Sequence, residues 1–245
     1  MKATGNQAKA ARGLLLTVLA LLLMAAPAAA RDLLLFSGAE GGGGGGTSTE
    51  NYYTYLGVVT PLLDKAFGPG FMQKYKVDFL GYSYPVNNQD ITATGVGVEA
   101  SLGYQFGGEH GWGGGYAGAR YSHTWLSPDD PKSEVRGSQL RPLVQLEGER
   151  ILNEDWKLNG LGSYLFISDA YWARGRVMYR AFDKVYTGPE FTAQGDPSYN
   201  AWSGGWFITG FRPAAKSELG FKAGARKVEN GNTGVYLGID FSHMF

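Results

Sequence analysis

Cysteine is absent from the 245 residues, which excludes a disulfide scaffold, a thiolate metal site, a cysteine nucleophile and a lipid-anchored cysteine at a mature N-terminus. Histidine is scarce: His110, His123 and His243 are the only ones, and no two have a metal-ligand spacing. Neither sign of charge dominates, with 22 Lys and Arg against 22 Asp and Glu. Residues 1–30 hold three of the basic residues and none of the acidic ones. Without them the chain carries 19 against 22, a net of −3 with no basic footprint for nucleic acid. Beyond residue 30 no apolar run approaches the ~20 residues a spanning helix needs, so a membrane-embedded form must cross with strands.

What is present begins with an export signal. Lys2, Lys9 and Arg12 precede an apolar run from Leu14 to Met24 and a small-residue stretch ending Ala28-Ala29-Ala30. These three regions predict a signal peptide over residues 1–30, cleaved before Arg31, and one domain over 31–245. The remaining composition is glycine-rich and aromatic, with Gly 38, Tyr 15, Phe 13 and Trp 6. Barrels of the Gram-negative outer membrane have this makeup, because alternate residues face lipid and aromatics gather at the interfaces.

Period-two alternation runs through the chain, and no amphipathic helix competes with it. In the last segment Val235, Leu237, Ile239, Phe241 and Phe245 share one face, interrupted by His243, and Tyr236, Gly238, Asp240, Ser242 and Met244 share the other. Val96 to Phe106 repeats the pattern against Gly95 to Gln105. Leu140, Pro142, Val144 and Leu146 oppose Arg141, Glu147 and Glu149. Tyr171, Ala173, Val177 and Tyr179 oppose Arg174, Arg176 and Arg180, and Leu219 to Ala225 opposes Lys222 and Arg226. Polar faces carrying both signs suit a lumen in which charges neutralise one another.

The expected fold is therefore all-β, a closed antiparallel up-and-down transmembrane β-barrel. Segments near 32–40, 51–61, 71–84, 91–106, 112–125, 135–150, 156–168, 171–182, 184–194, 201–212, 216–227 and 233–245 give twelve strands. Two of them, 156–168 and 201–212, alternate poorly and leave ten as the alternative count. The odd-numbered joints, among them Gly41 to Gly46, Pro85 to Asp90 and Leu126 to Glu134, are expected to be the longer extracellular ones. Phe245, an aromatic closing an amphipathic strand, is the expected signal to the barrel-assembly machinery, and outer-membrane lipid is the expected surrounding.

No catalytic or cofactor set is filled. Ser122 and His123 are neighbours on a strand and point to opposite faces. A barrel-embedded lipid-modifying hydrolase would need His123 with a serine and a glutamate from other strands. The glycine tracts 41–46 and 113–115 precede no helix that would receive a phosphate. Pro128-Asp129-Asp130-Pro131 reads as a rigid turn in preference to a calcium site. The tryptophans read mainly as an interfacial girdle; Trp172, beside Arg174 and Arg176 on the charged face, is the one placed for saccharide contact.

Gly103-Tyr104-Gln105 with Gly111-Trp112-Gly113, then Pro128-Asp129-Asp130-Pro131 with Arg136-Gly137-Ser138, then Gly188-Pro189-Glu190 with Gly195, occur in an order and spacing that resemble the cellulose biosynthesis protein BcsS family of alphaproteobacteria. The resemblance implies a barrel-shaped envelope protein working with cellulose or its secretion proteins, and supplies no catalytic residue. The resulting expectation is a non-enzymatic outer-membrane accessory, with a general small-solute porin as the alternative. Arg141, Glu147, Glu149, Arg174, Arg176, Arg180, Glu190, Lys222 and Arg226 are expected to line the interior. Extensive pairing among them would plug it.

Overall fold

The computed structural model describes residues 32–43, 51–63, 66–86, 89–197, 199–229 and 232–245; the leader and residues 44–46 of the glycine run lie outside them. Twelve strands follow one another: β1 (Leu34–Gly43), β2 (Asn51–Pro61), β3 (Gly70–Val86), β4 (Gln89–Gly108), β5 (Gly111–Ser127), β6 (Gly137–Ile151), β7 (Trp156–Leu165), β8 (Ala170–Phe182), β9 (Val185–Asp196), β10 (Tyr199–Phe211), β11 (Ser217–Val228) and β12 (Thr233–Met244). The shortest have 10 residues, enough for a tilted strand to cross a hydrocarbon core. Each pairs antiparallel with its sequence neighbours, and β1 closes onto β12 through a ten-pair ladder from Leu34↔Met244 to Gly43↔Val235. Closure leaves no edge strand and pairs the backbone groups that lipid would leave unsatisfied.

The side chains are distributed inside out. Leu146, Leu237 and Leu140 are 71%, 68% and 67% exposed, whereas Asp78 and Glu190 are 0% and 2% exposed. A soluble sandwich buries its apolar face and solvates its charges. This chain does the reverse, so its outer wall is matched to an apolar surrounding.

The two poorly alternating segments are strands all the same. The outward positions of β7 include Gly160 and Gly162, and β10 has Gly204 and Gly205, so the apolar rhythm fades. Their ladders to both neighbours are nonetheless continuous over most of their length. Barrel pairing is satisfied by backbone groups, and glycine supplies those without advertising a face.

The expected contrast in joint length is weaker than the sequence suggests. Pro85 and Asp90, assigned to a loop, are paired with each other, because both strands of the hairpin continue to Val86 and Gln89. At the opposite end β4 turns into β5 through residues 109–110. Gly111, at φ +127°, makes that turn, and a Cβ there would lie 2.0 Å from the Glu149 carbonyl oxygen. Gly111→Ala should therefore cost about 1–3 kcal/mol from its backbone conformation alone. The steric conflict adds to this, and a smaller folded fraction in heat-modifiability gels would report it.

Candidate functional site: the charged interior

Inward positions are identified by contacts that no outer surface could make. Lys74 of β3 meets Glu147 of β6 at 2.6 Å, Arg176 of β8 meets Asp240 of β12 at 2.8 Å, and the Tyr55 hydroxyl of β2 donates to Asp240 at 3.2 Å. None of these strand pairs is hydrogen-bonded in the sheet, so the side chains meet across the space the barrel encloses.

Two clusters occupy that space. In the first, Arg120 grips Asp78 with both terminal nitrogens, one at 2.7 Å from Oδ1, and donates to Glu99 at 2.7 Å. Lys76 pairs with the same Glu99 at 2.9 Å. Gly97 makes the room: a Cβ there would fall 2.2 Å from the Arg120 guanidinium. Beside it Gln145 donates to Glu147 at 2.7 Å, and the Lys74 ammonium lies over the Tyr116 ring at 5.1 Å.

In the second cluster Arg176 donates through Nε to Glu190 at 2.6 Å while its Nη2 holds Asp240, and its guanidinium lies 4.7 Å over the Phe207 ring. Lys222 reaches Glu40 at 2.8 Å and Glu190 at 3.9 Å. Arg226 also pairs with Glu40 and donates to Asn51 and Ser203 at 3.0 Å each. The cluster thus draws on β8, β9, β10, β11, β12, β1 and β2, and it ties seam strand β12 to β8 and seam strand β1 to β11.

The remaining sequence-derived positions are placed differently. Glu149 pairs with Lys157 at 3.0 Å towards the β6–β7 joint. Arg180 shares the face of Arg174 and Arg176 but sits at the rim, bound to Asp155 of the 152–155 joint at 2.9 Å. Its ion pair is therefore with the β6–β7 joint and not across the interior, while its backbone is still paired in the sheet with Tyr186. Arg141 and Arg174 face inward, and neither has an ion pair among the described residues. Trp172 is held in register between Ser163 and Gln194. Trp202 and Trp206 face outward and are exposed.

Sequence reading missed Glu40, Lys74, Lys76, Asp78, Glu99, Arg120 and Asp240 as members of this site. The signal available was Lys74, Lys76 and Asp78 at alternate positions of one strand. Partner choice was not available, because barrel closure decides which walls face each other.

The interior is densely packed at the level of these clusters. Met72 and Phe207 are each 1% exposed and Tyr236 2%; a water-filled passage beside them would leave them accessible. Buried charges of this kind are tolerated only when paired and hydrogen-bonded.

Chemistry outside the interior is sparse. His123 Nδ1 lies 2.7 Å from Ser138 Oγ of β6, which also accepts from the Tyr121 hydroxyl at 2.9 Å. A serine from another strand therefore does reach His123, but no hydrogen-bonded carboxylate orients the ring among the described residues. Asp129 is engaged by Arg136 at 2.8 Å, and Asp130 accepts from Tyr84 at 3.3 Å and the Lys132 amide at 3.2 Å. These contacts clasp the 128–136 loop.

Solved structures with the same architecture include three autotransporter domains. The translocator domain of NalP from Neisseria meningitidis is 9% identical, covering 87% of this chain and 88% of that one, at a TM-score of 0.53. The transport unit of AIDA-I from Escherichia coli is 8% identical over 90% and 92%, at 0.53. The β domain of Bordetella BrkA is 11% identical over 88% and 100%, at 0.52. At such identities the likeness concerns the fold alone. No curated protein matches the chain. The family model described as cellulose biosynthesis protein BcsS matches residues 34–245.

Proposed function

Because the chain belongs to the cellulose biosynthesis protein BcsS family, we propose that it is an exported outer-membrane barrel that supports cellulose biosynthesis or secretion as an accessory and not as the conduit. In this reading residues 1–30 direct export and are removed, and the strand ending at Phe245 is recognised by the barrel-assembly machinery. The barrel then presents its rims and wall to the secretion apparatus. The observation that supports the accessory role is the belt of ion pairs the two clusters form, with Arg176 bridging Glu190 and Asp240 across the interior.

Planar-bilayer recording tests it. The protein is expected to show no steady conductance of the size a general small-solute porin gives. Steady open channels at moderate voltage would favour the porin reading instead. In cells, deletion of the gene should lower cellulose output and leave permeability to small solutes unchanged.

A further inference from the structure

Six interior cations, Lys74, Lys76, Arg120, Arg176, Lys222 and Arg226, each have a carboxylate partner. Arg174, like Arg141, has none among the described residues. Its Nε is buried without an acceptor, its Nη2 reaches only Asn159 Oδ1 at 3.2 Å, and its guanidinium lies 6.0 Å from the Trp172 ring centre. A desolvated guanidinium with one neutral acceptor is an expensive arrangement, and an arriving anion would relieve it.

The surroundings specify what kind of anion. Arg174 stands two residues from Arg176, on the side of the belt nearer the β7–β8 joint. Trp172, Arg174, Asn159 and Gln194 are all partly accessible. Trp172 lies in register between Ser163 and Gln194, and Arg174 between Leu161 and Thr192. An aromatic face flanked by hydroxyl and amide groups suits a pyranose ring, whose one side is apolar and whose edge is all hydroxyls. The guanidinium beside it matches a carboxylate, which it binds through two parallel N–H donors.

We propose that Trp172 and Arg174 form a binding site for an oligosaccharide carrying carboxylate groups, set in the vestibule above the ion-paired belt. Trp172 stacks on a sugar ring and Arg174 takes the charge. Arg176, already saturated by Glu190 and Asp240, forms the floor and does not bind. The inference stands apart from the cellulose reading, which the deletion phenotype tests.

Calorimetric titration of the detergent-solubilised barrel decides the matter, with a cello-oligosaccharide oxidised to carboxylates at C6, its neutral parent and inorganic phosphate as probes. The carboxylated oligosaccharide should bind about tenfold or more tightly than the neutral one. Arg174→Gln should remove that advantage, Arg174→Lys should keep part of it, and Trp172→Leu should weaken both saccharides. Native heat-modifiable migration of each variant establishes that it is folded. Equal binding of the two saccharides, no binding of either, or full binding by folded Arg174→Gln would overturn the proposal. So would phosphate binding as tightly as the carboxylated oligosaccharide, which would mark a bare anion site.

Discussion

Arg120→Leu is expected to destabilise the barrel by about 3–5 kcal/mol, the cost of leaving buried charge without its partner. Among the described residues Arg120 is the only ion partner of Asp78, which is wholly buried, and it shares Glu99 with Lys76. Arg120→Lys should fall between the variant and the parent, since an ammonium cannot reproduce the two-pronged grip on Asp78. Replacing both partners, Arg120→Leu with Asp78→Leu, should recover most of the loss, because Glu99 keeps Lys76 and no orphaned carboxylate remains. Urea unfolding in lipid bilayers, followed by tryptophan fluorescence, measures all three. A single variant within about 1 kcal/mol of the parent would mean that water reaches Asp78 and that the interior is not sealed there.

Leu146→Arg should cost about 2–4 kcal/mol if the position lies near the bilayer midplane, and less towards either interface. The reason is its direction. Leu146 faces outward between Gly115 and Gly162 and is 71% exposed. On a water-facing wall an arginine at so open a position would change stability by no more than about 0.5 kcal/mol. The same substitution thus separates a lipid-facing surface from a solvated one, by the same unfolding measurement in bilayers. Glu147, the next residue, points the other way and pairs with Lys74, so Glu147→Leu should also destabilise, through an orphaned ammonium and not through lipid.

These two neighbours illustrate how much of the molecule is legible in the sequence. Leu146 and Glu147 fall on opposite faces by period two alone, and β12 can be read the same way from Val235 to Met244. The chain is fitted to its fold locally, so strand number and facing are accessible without coordinates. β7 and β10 are less so, because Gly160, Gly162 and Gly204 occupy outward positions where apolar residues would mark the face.

The site is only partly legible, for a geometric reason. Arg174, Arg176 and Arg180 are equivalent in the pattern, yet one lacks a counter-ion, one bridges Glu190 and Asp240, and one binds the rim residue Asp155. What distinguishes them is height in the barrel and the identity of the opposite wall. Arg176 and Asp240 are 64 residues apart; their meeting depends on the curvature and stagger of closure, which no local window contains. Glu40 is hard to read from sequence because it stands in a run of small residues beside glycines, with no charged neighbour on its own strand to announce a polar face.

The absence of native cysteine makes a direct test of the inside-out wall straightforward, since single cysteines introduced along β12 can each carry one spin label. In bilayers, labels at 235, 237, 239 and 241 should be accessible to oxygen dissolved in lipid, and labels at 236, 238 and 240 should be shielded from it, a period-two wave with its maxima on the odd positions. Odd positions shielded from lipid oxygen, with even positions open to a water-soluble relaxation agent, would contradict the account and describe a soluble sheet with an apolar core.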